Sequence, residues 1–97
     1  MYKQLYFLHK TKDDKALAHF KEVILARLSE LAEKEIKLAK VESNLLLDQQ
    51  YSYFCEIEFE SEDKMNELMD SKEGRQLAKN LMDFHQVITV ISINYSY

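Results

Sequence analysis

With 97 residues, 46% of them hydrophobic, the chain is long enough to pack one core; one glycine and no proline leave little room for a linker or disordered tail. A single domain over 1–97 is therefore expected, too short to shield both faces of a sheet from water by itself. A formal charge of −4, with Lys and Arg interspersed among acidic residues, speaks against the clustered basic surface that a nucleic acid or an anionic membrane needs.

The opening MYKQLYFLHK lacks the long apolar run of a leader or a membrane span, and the lone Cys55 cannot make an internal disulfide, so a cytoplasmic location is expected. Lys3 to Lys10 reads as a strand covered on both sides, with Leu5 and Phe7 on one face and Tyr6 and Leu8 on the other. Thr11 and Asp14 then have capping-box spacing. Leu17, Phe20, Ile24, Leu28 and Leu31 follow at intervals of three or four, with Lys15, His19, Glu22 and Glu33 opposite, which predicts a long uninterrupted amphipathic helix ending near Glu35, its His19 in water.

IKLAKVE, Ile36 to Glu42, alternates in the manner of an edge strand. SNLLLDQQ combines turn formers with Leu45, Leu46 and Leu47. In YSYFCEIEFE, residues 51–60, one strand face carries Tyr51, Tyr53, Cys55, Ile57 and Phe59 and asks for a core; the other carries Phe54, Glu56, Glu58 and Glu60. Ser61 to Asp63 cap a helix that buries Met65, Leu68 and Met69, a break at Asp70-Ser71 recaps the chain, and Leu77, Ala78, Leu81 and Phe84 continue the apolar stripe. VITVISINYSY is β-branched and aromatic almost throughout and predicts a last strand.

The order β-α-β-β-α-β is that of a ferredoxin-like α+β sandwich, a four-stranded antiparallel sheet with both helices on one face. Its first and third strands are central, so the Glu56 and Glu58 face lies mid-sheet on the side without helices. Two helices cover one face only, so an isolated copy would expose an apolar patch. Two sheets packed face to face, a dimeric α+β barrel built on a two-fold axis, resolve this, and a homodimer is the expected state.

SKEGRQLAKNLMDFHQVITV resembles the segment of EthD-like proteins in which a Ser-Pro-Glu-Gly turn opens a helix that ends in an apolar-Phe pair before the last strand, and YFCEIEFESEDKMNELM is similar to that family's third strand and following helix. The specific part of the resemblance is Ser71, Glu73, Gly74 and Phe84. It implies a dimeric α+β barrel near small monooxygenases, lyases and cyclases. The family's His-Ala-Pro-like segment late in the first helical region has no counterpart in FKEVILARLSEL, so that histidine is carried over to no position.

Glu56 and Glu58 share a strand face, so in a dry lumen one of them would hold a proton and serve as acid or base; in a wet or ion-paired lumen they are structural. No His or Cys joins them at ligand spacing, so no metal is expected, and no cofactor; Trp is absent and no histidine falls on an identifiable lumen-facing helix position for haem. His9 ends the first strand and His85 precedes the last, where a barrel mouth would lie, against the ordinary alternative of surface histidines. Tyr6, Tyr51, Tyr53, Tyr95 and Tyr97 offer rings for an aromatic substrate, although Tyr is also a common strand residue. Cys55 reads as an inert core thiol and Gly74 as a site of close backbone packing. Leu45, Leu46 and Leu47 should not all face water, and an arm reaching over a partner copy accounts for them. Tyr6, His9, Phe54, Glu56, Glu58 and His85 are thus the candidate pocket or acid–base residues. The leading reading is a barrel that binds a small hydrophobic or aromatic metabolite; a cofactor-independent monooxygenase or cyclase with a lumen carboxylate as base, and a structural or regulatory dimer without ligand, are the alternatives.

Overall fold

A computed structural model describes residues 1–95; Tyr97 lies outside the described residues. β1 (Tyr2–His9) is followed by α1 (Asp14–His19), a π-helical segment (Phe20–Ile24) and α2 (Leu25–Ala32), then β2 (Ala39–Lys40), β3 (Tyr51–Phe59), α3 (Glu62–Met69), α4 (Lys72–Met82) and β4 (Ile88–Asn94). The sheet is antiparallel in the order β2-β3-β1-β4, so β1 and β3 are central. The ferredoxin-like arrangement expected from the sequence is the one observed.

Alternation along the strands divides the sheet into a helix face and an open face. On β1, Gln4, Tyr6 and Leu8 are buried, while Lys3, Leu5, Phe7 and His9 are only half-buried. Tyr6 pairs with Cys55 and Gln4 with Ile57, and these join Phe20, Ile24, Leu28, Met65 and Leu77 in one core between sheet and helices. A polar contact in its centre is satisfied: the Tyr6 hydroxyl donates to Gln4 Oε1 at 2.7 Å.

Five local expectations need correction. The helix cap is Asp13, whose Oδ1 accepts from the Lys15 N–H at 2.9 Å; Thr11 instead braces it, its Oγ1 accepting from the Asp13 N–H. The first helix is not a plain α-helix. Ala16, Phe20, Ile24 and Leu28 are all fully buried at steps of four, and four residues of a 3.6-residue helix overrotate by about 40° per step. A wider turn absorbs that drift, and the π-helical segment Phe20–Ile24 lies between them. The helix stops at Ala32 because Glu33 takes a left-handed conformation, φ 54°. β2 spans two residues instead of Ile36 to Glu42: Ile36 is drawn into the core and its N–H donates to Ser29 Oγ, so the chain reaches the sheet only at Ala39. His19 does not face water alone; its Nε2 donates to the Asn80 carbonyl at 2.6 Å and its ring lies 4.8 Å from Phe84, tying α1 to α4.

At the break between α3 and α4, Ser71 Oγ accepts from the Gly74 N–H at 3.2 Å and donates to the Leu68 carbonyl. Gly74 packs so closely that a Cβ there would collide with backbone atoms of Leu68 and Met69. Backbone cannot yield as a flexible side chain can. Gly74→Ala should therefore destabilise the fold by about 1–3 kcal/mol, and Ser71→Ala by about 1 kcal/mol, both measured by urea unfolding.

Candidate functional site

The helices pack on one side of the sheet, and the other side carries the candidate residues. Across it, Phe7 stands opposite Phe54 and Thr89, Leu5 opposite Glu56 and Ile91, and Lys3 opposite Glu58 and Ile93. Two zones result.

At the end where β1 finishes, rings gather. Phe7 lies 5.0 Å from Phe54 and 4.7 Å from Tyr51, and His9 meets Tyr51 edge-on at 5.3 Å. Tyr51 was expected to face the core. A bulge puts it here: the β1–β3 register shifts between Leu8 and His9, so His9 pairs with Tyr51 and Ser52 is the extra residue, its hydroxyl donating to the Leu8 and His9 carbonyls. His9 Nε2 shares a hydrogen bond with Thr89 Oγ1 at 2.5 Å, which joins β1 to β4 through side chains.

At the other end, Glu56 and Glu58 converge on Lys3, whose Nζ lies 3.5 Å from one carboxylate and 3.3 Å from the other. The hydrogen bond with Glu58, followed by the field of Glu56, holds the Lys3 ammonium above its ordinary value despite partial burial. The lysine carries only 17% side-chain exposure, against 40% and 47% for its partners. One cation thus lies between two carboxylates. The ion pairing that one of the alternatives called for is made within the chain. Lys3 was missed in the sequence, although its parity with Leu5 and Phe7 already placed it on this face.

Beside the carboxylates, a shallow open groove of about 330 Å³ runs between the Lys34–Lys37 turn with Ala39 and the Phe54, Glu56 and Glu58 side chains. The remaining candidates lie elsewhere. Tyr6 points into the core, is fully buried, and burial pushes its phenol well above the ordinary value; it is a packing residue with a satisfied hydroxyl. Tyr53 also faces the helix layer, with Lys21 Nζ 4.5 Å above its ring. Tyr95 is exposed and near Lys3, 5.7 Å from ammonium to ring centre. His85 is exposed in the turn after α4, its Nδ1 within hydrogen-bonding distance of the Met82 carbonyl, in a recess lined by Asp13, Phe84 and Val87 that includes no other candidate. Leu45, Leu46 and Leu47 are 94%, 91% and 75% exposed, in a loop where Asn44 Oδ1 accepts from the Leu46 and Leu47 N–H groups. The structure therefore unites His9, Phe54, Glu56 and Glu58 on one face and separates Tyr6 and His85 from them. Among the described residues, no three His, Cys, Asp or Glu side chains gather as metal ligands would, and no helix is long and apolar enough to cross a membrane.

No protein-family model matches the sequence, and no curated protein matches it. Solved structures do. An ethyl tert-butyl ether D (EthD) family protein from Bacillus halodurans aligns with a TM-score of 0.78 at 17% identity, covering 99% of both chains. A protein of Arabidopsis thaliana aligns at 0.64 and 22% identity over 100% of this chain and 97% of that one. A dimeric ferredoxin-like protein of unknown function from Thermobifida fusca aligns at 0.53 and 10% identity, covering 97% and 90%. These likenesses show the fold, and the EthD-family structure is the counterpart of the resemblance read in residues 51–93.

Cys55 sits behind the carboxylates, on the helix face. Desolvation, and then the charge of Glu56, push its thiol up to about 12 from an ordinary 9.0. The unfolded chain ionises this thiol above pH 9 and the folded chain does not, so its contribution to stability is full below pH 9 and is lost as pH rises through 12. A disulfide reagent at pH 8 should leave native Cys55 unmodified over hours and label it at once in denaturant.

Proposed function

We propose that two copies of this chain pair their open sheet faces into a barrel, and that the enclosed space binds a small hydrophobic or aromatic molecule. The observation that carries this is the ring cluster of Phe7, Tyr51 and Phe54 on a sheet face that no helix of its own chain covers. With Leu5, Ile91 and Ile93 on the same face, it forms a contiguous apolar surface of a kind that stable monomers bury. The Bacillus halodurans EthD-family structure and the dimeric Thermobifida fusca protein support the reading by their fold, and the second by its described dimeric state.

The face suits binding better than acid–base catalysis. Its carboxylates are both engaged by Lys3 in ion pairs, whereas its rings offer flat apolar surface that stacks on any aromatic guest. His9 and Thr89 add polar groups at the ring cluster that can orient a hydroxyl or carbonyl.

Native mass spectrometry of protein purified gently from its own host should give a dimer mass with a small molecule retained; a monomer at micromolar concentration would overturn the barrel, and a dimer stripped of any ligand under the gentlest conditions would overturn the binding role. Phe7→Asp, which puts a charge into the proposed interface, should raise the dimer dissociation constant by at least about 100-fold, as read by sedimentation.

A further inference from the structure

β3 is a central strand, yet its outer edge is paired along only part of its length. β2 meets it with Ala39 opposite Phe54 and Lys40 opposite Tyr53, and the Val41 N–H donating to the Ser52 carbonyl adds one bond more. Beyond Phe54 the chain that would have continued β2 leaves the sheet, because Ile36 is drawn into the core and its N–H is held by Ser29.

Antiparallel pairing turns successive residues to opposite sides of a strand, so the bonds to β1 show which groups are left bare. The Tyr95 N–H donates to the Met1 carbonyl and the His9 N–H to the Val87 carbonyl, so odd-numbered residues of β1 bond to β4. Even-numbered ones bond to β3, where Gln4 and Tyr6 stand opposite Ile57 and Cys55. Glu56 and Glu58 therefore turn their N–H and C=O groups away from β1, and among the described residues those groups have no backbone partner.

A trough follows this bare edge. The groove beside Phe54, Glu56 and Glu58 shares Lys34 and Glu58 with a second open groove of about 500 Å³, which continues past Met1 and Ala32 to Glu60. Five residues of strand, Glu56 to Glu60, span about 17 Å at a rise of about 3.4 Å each. The charged lining is Lys34 and Lys37 against Glu35, Glu56, Glu58 and Glu60, so carboxylates are in excess. Glu56 and Glu58 keep 40% and 47% side-chain exposure beside Lys3, which leaves them room for a second cation. The outer edge of β4 is also free, but ITVISIN carries no charge to select a charged partner.

We infer that this edge docks an extended basic segment of a partner protein, added to the sheet as a strand beside β3. Alternation places its Lys or Arg side chains on the open side next to Glu56 and Glu58, and its apolar side chains on the helix side next to Ile57 and Phe59. The inference uses the edge and not the face, so it stands whether or not two copies form the barrel.

The test uses the full chain and a blocked peptide, Thr-Lys-Val-Lys-Val-Lys-Thr, followed by calorimetry and by amide hydrogen exchange. Saturating peptide should slow exchange of the Glu56 and Glu58 amides by at least about tenfold. Those of Val90 and Ser92, which face the free edge of β4, should not change. Glu56→Gln/Glu58→Gln should weaken binding about fivefold. The same peptide N-methylated at its lysines and valines, or carrying Glu in place of Lys, should not bind. No binding of the lysine peptide, equal binding of either altered peptide, unchanged affinity in the glutamine variant, or slowing at Val90 and Ser92 instead would overturn the inference. So would slowing of the Glu56 and Glu58 amides on raising protein concentration alone, which would put a second copy of this chain at the edge.

Discussion

Tyr6 and Leu8 turn into the helix layer and lose all contact with water, while Leu5 and Phe7 turn the other way and keep part of theirs. Strand alternation makes this unavoidable: a central strand that is apolar on both sides can satisfy only one of them with the helices this chain has. The helices' apolar stripes are spent on Cys55, Ile57 and Phe59. Everything on the other side, rings, ion pair and groove, follows from β1 having more to bury than its own chain can cover.

Within that constraint the open face sorts its chemistry lengthwise. Lys3 is held beneath two carboxylates, and the rings of Phe7, Tyr51 and Phe54 lie at the far end, so charge and apolar surface do not compete for the same space. Such segregation lets a contact surface be both dry at one end and hydrated at the other.

Much of this was legible in the sequence, and for identifiable reasons. Element order and the division of β3 into a Cys55 face and a Glu56 face follow from period-two patterning, which is dense in YFCEIEF. The caps at Ser61 and Ser71 were visible because serine precedes acidic helix starts. What escaped was set by backbone events that no pattern displays. One extra residue at Ser52 reversed the facing of Tyr51, and the descent of Ile36 into the core cut β2 to two residues. The π-helical segment did leave a trace, in steps of four where an α-helix prefers a mixture of three and four. No spacing within β3 marks Lys3, because the carboxylates' partner lies across the sheet on β1.

The bulge at Ser52 also separates what lies before it from what lies after. Facing from Tyr53 onward is counted from the bulge and from the pairing with β1, not from the length of the loop between β2 and β3. Residues can therefore be inserted into or deleted from 42–50 without turning Glu56 inward or Cys55 outward. Evolution is free to vary the reach of that loop while the sheet behind it stays in register.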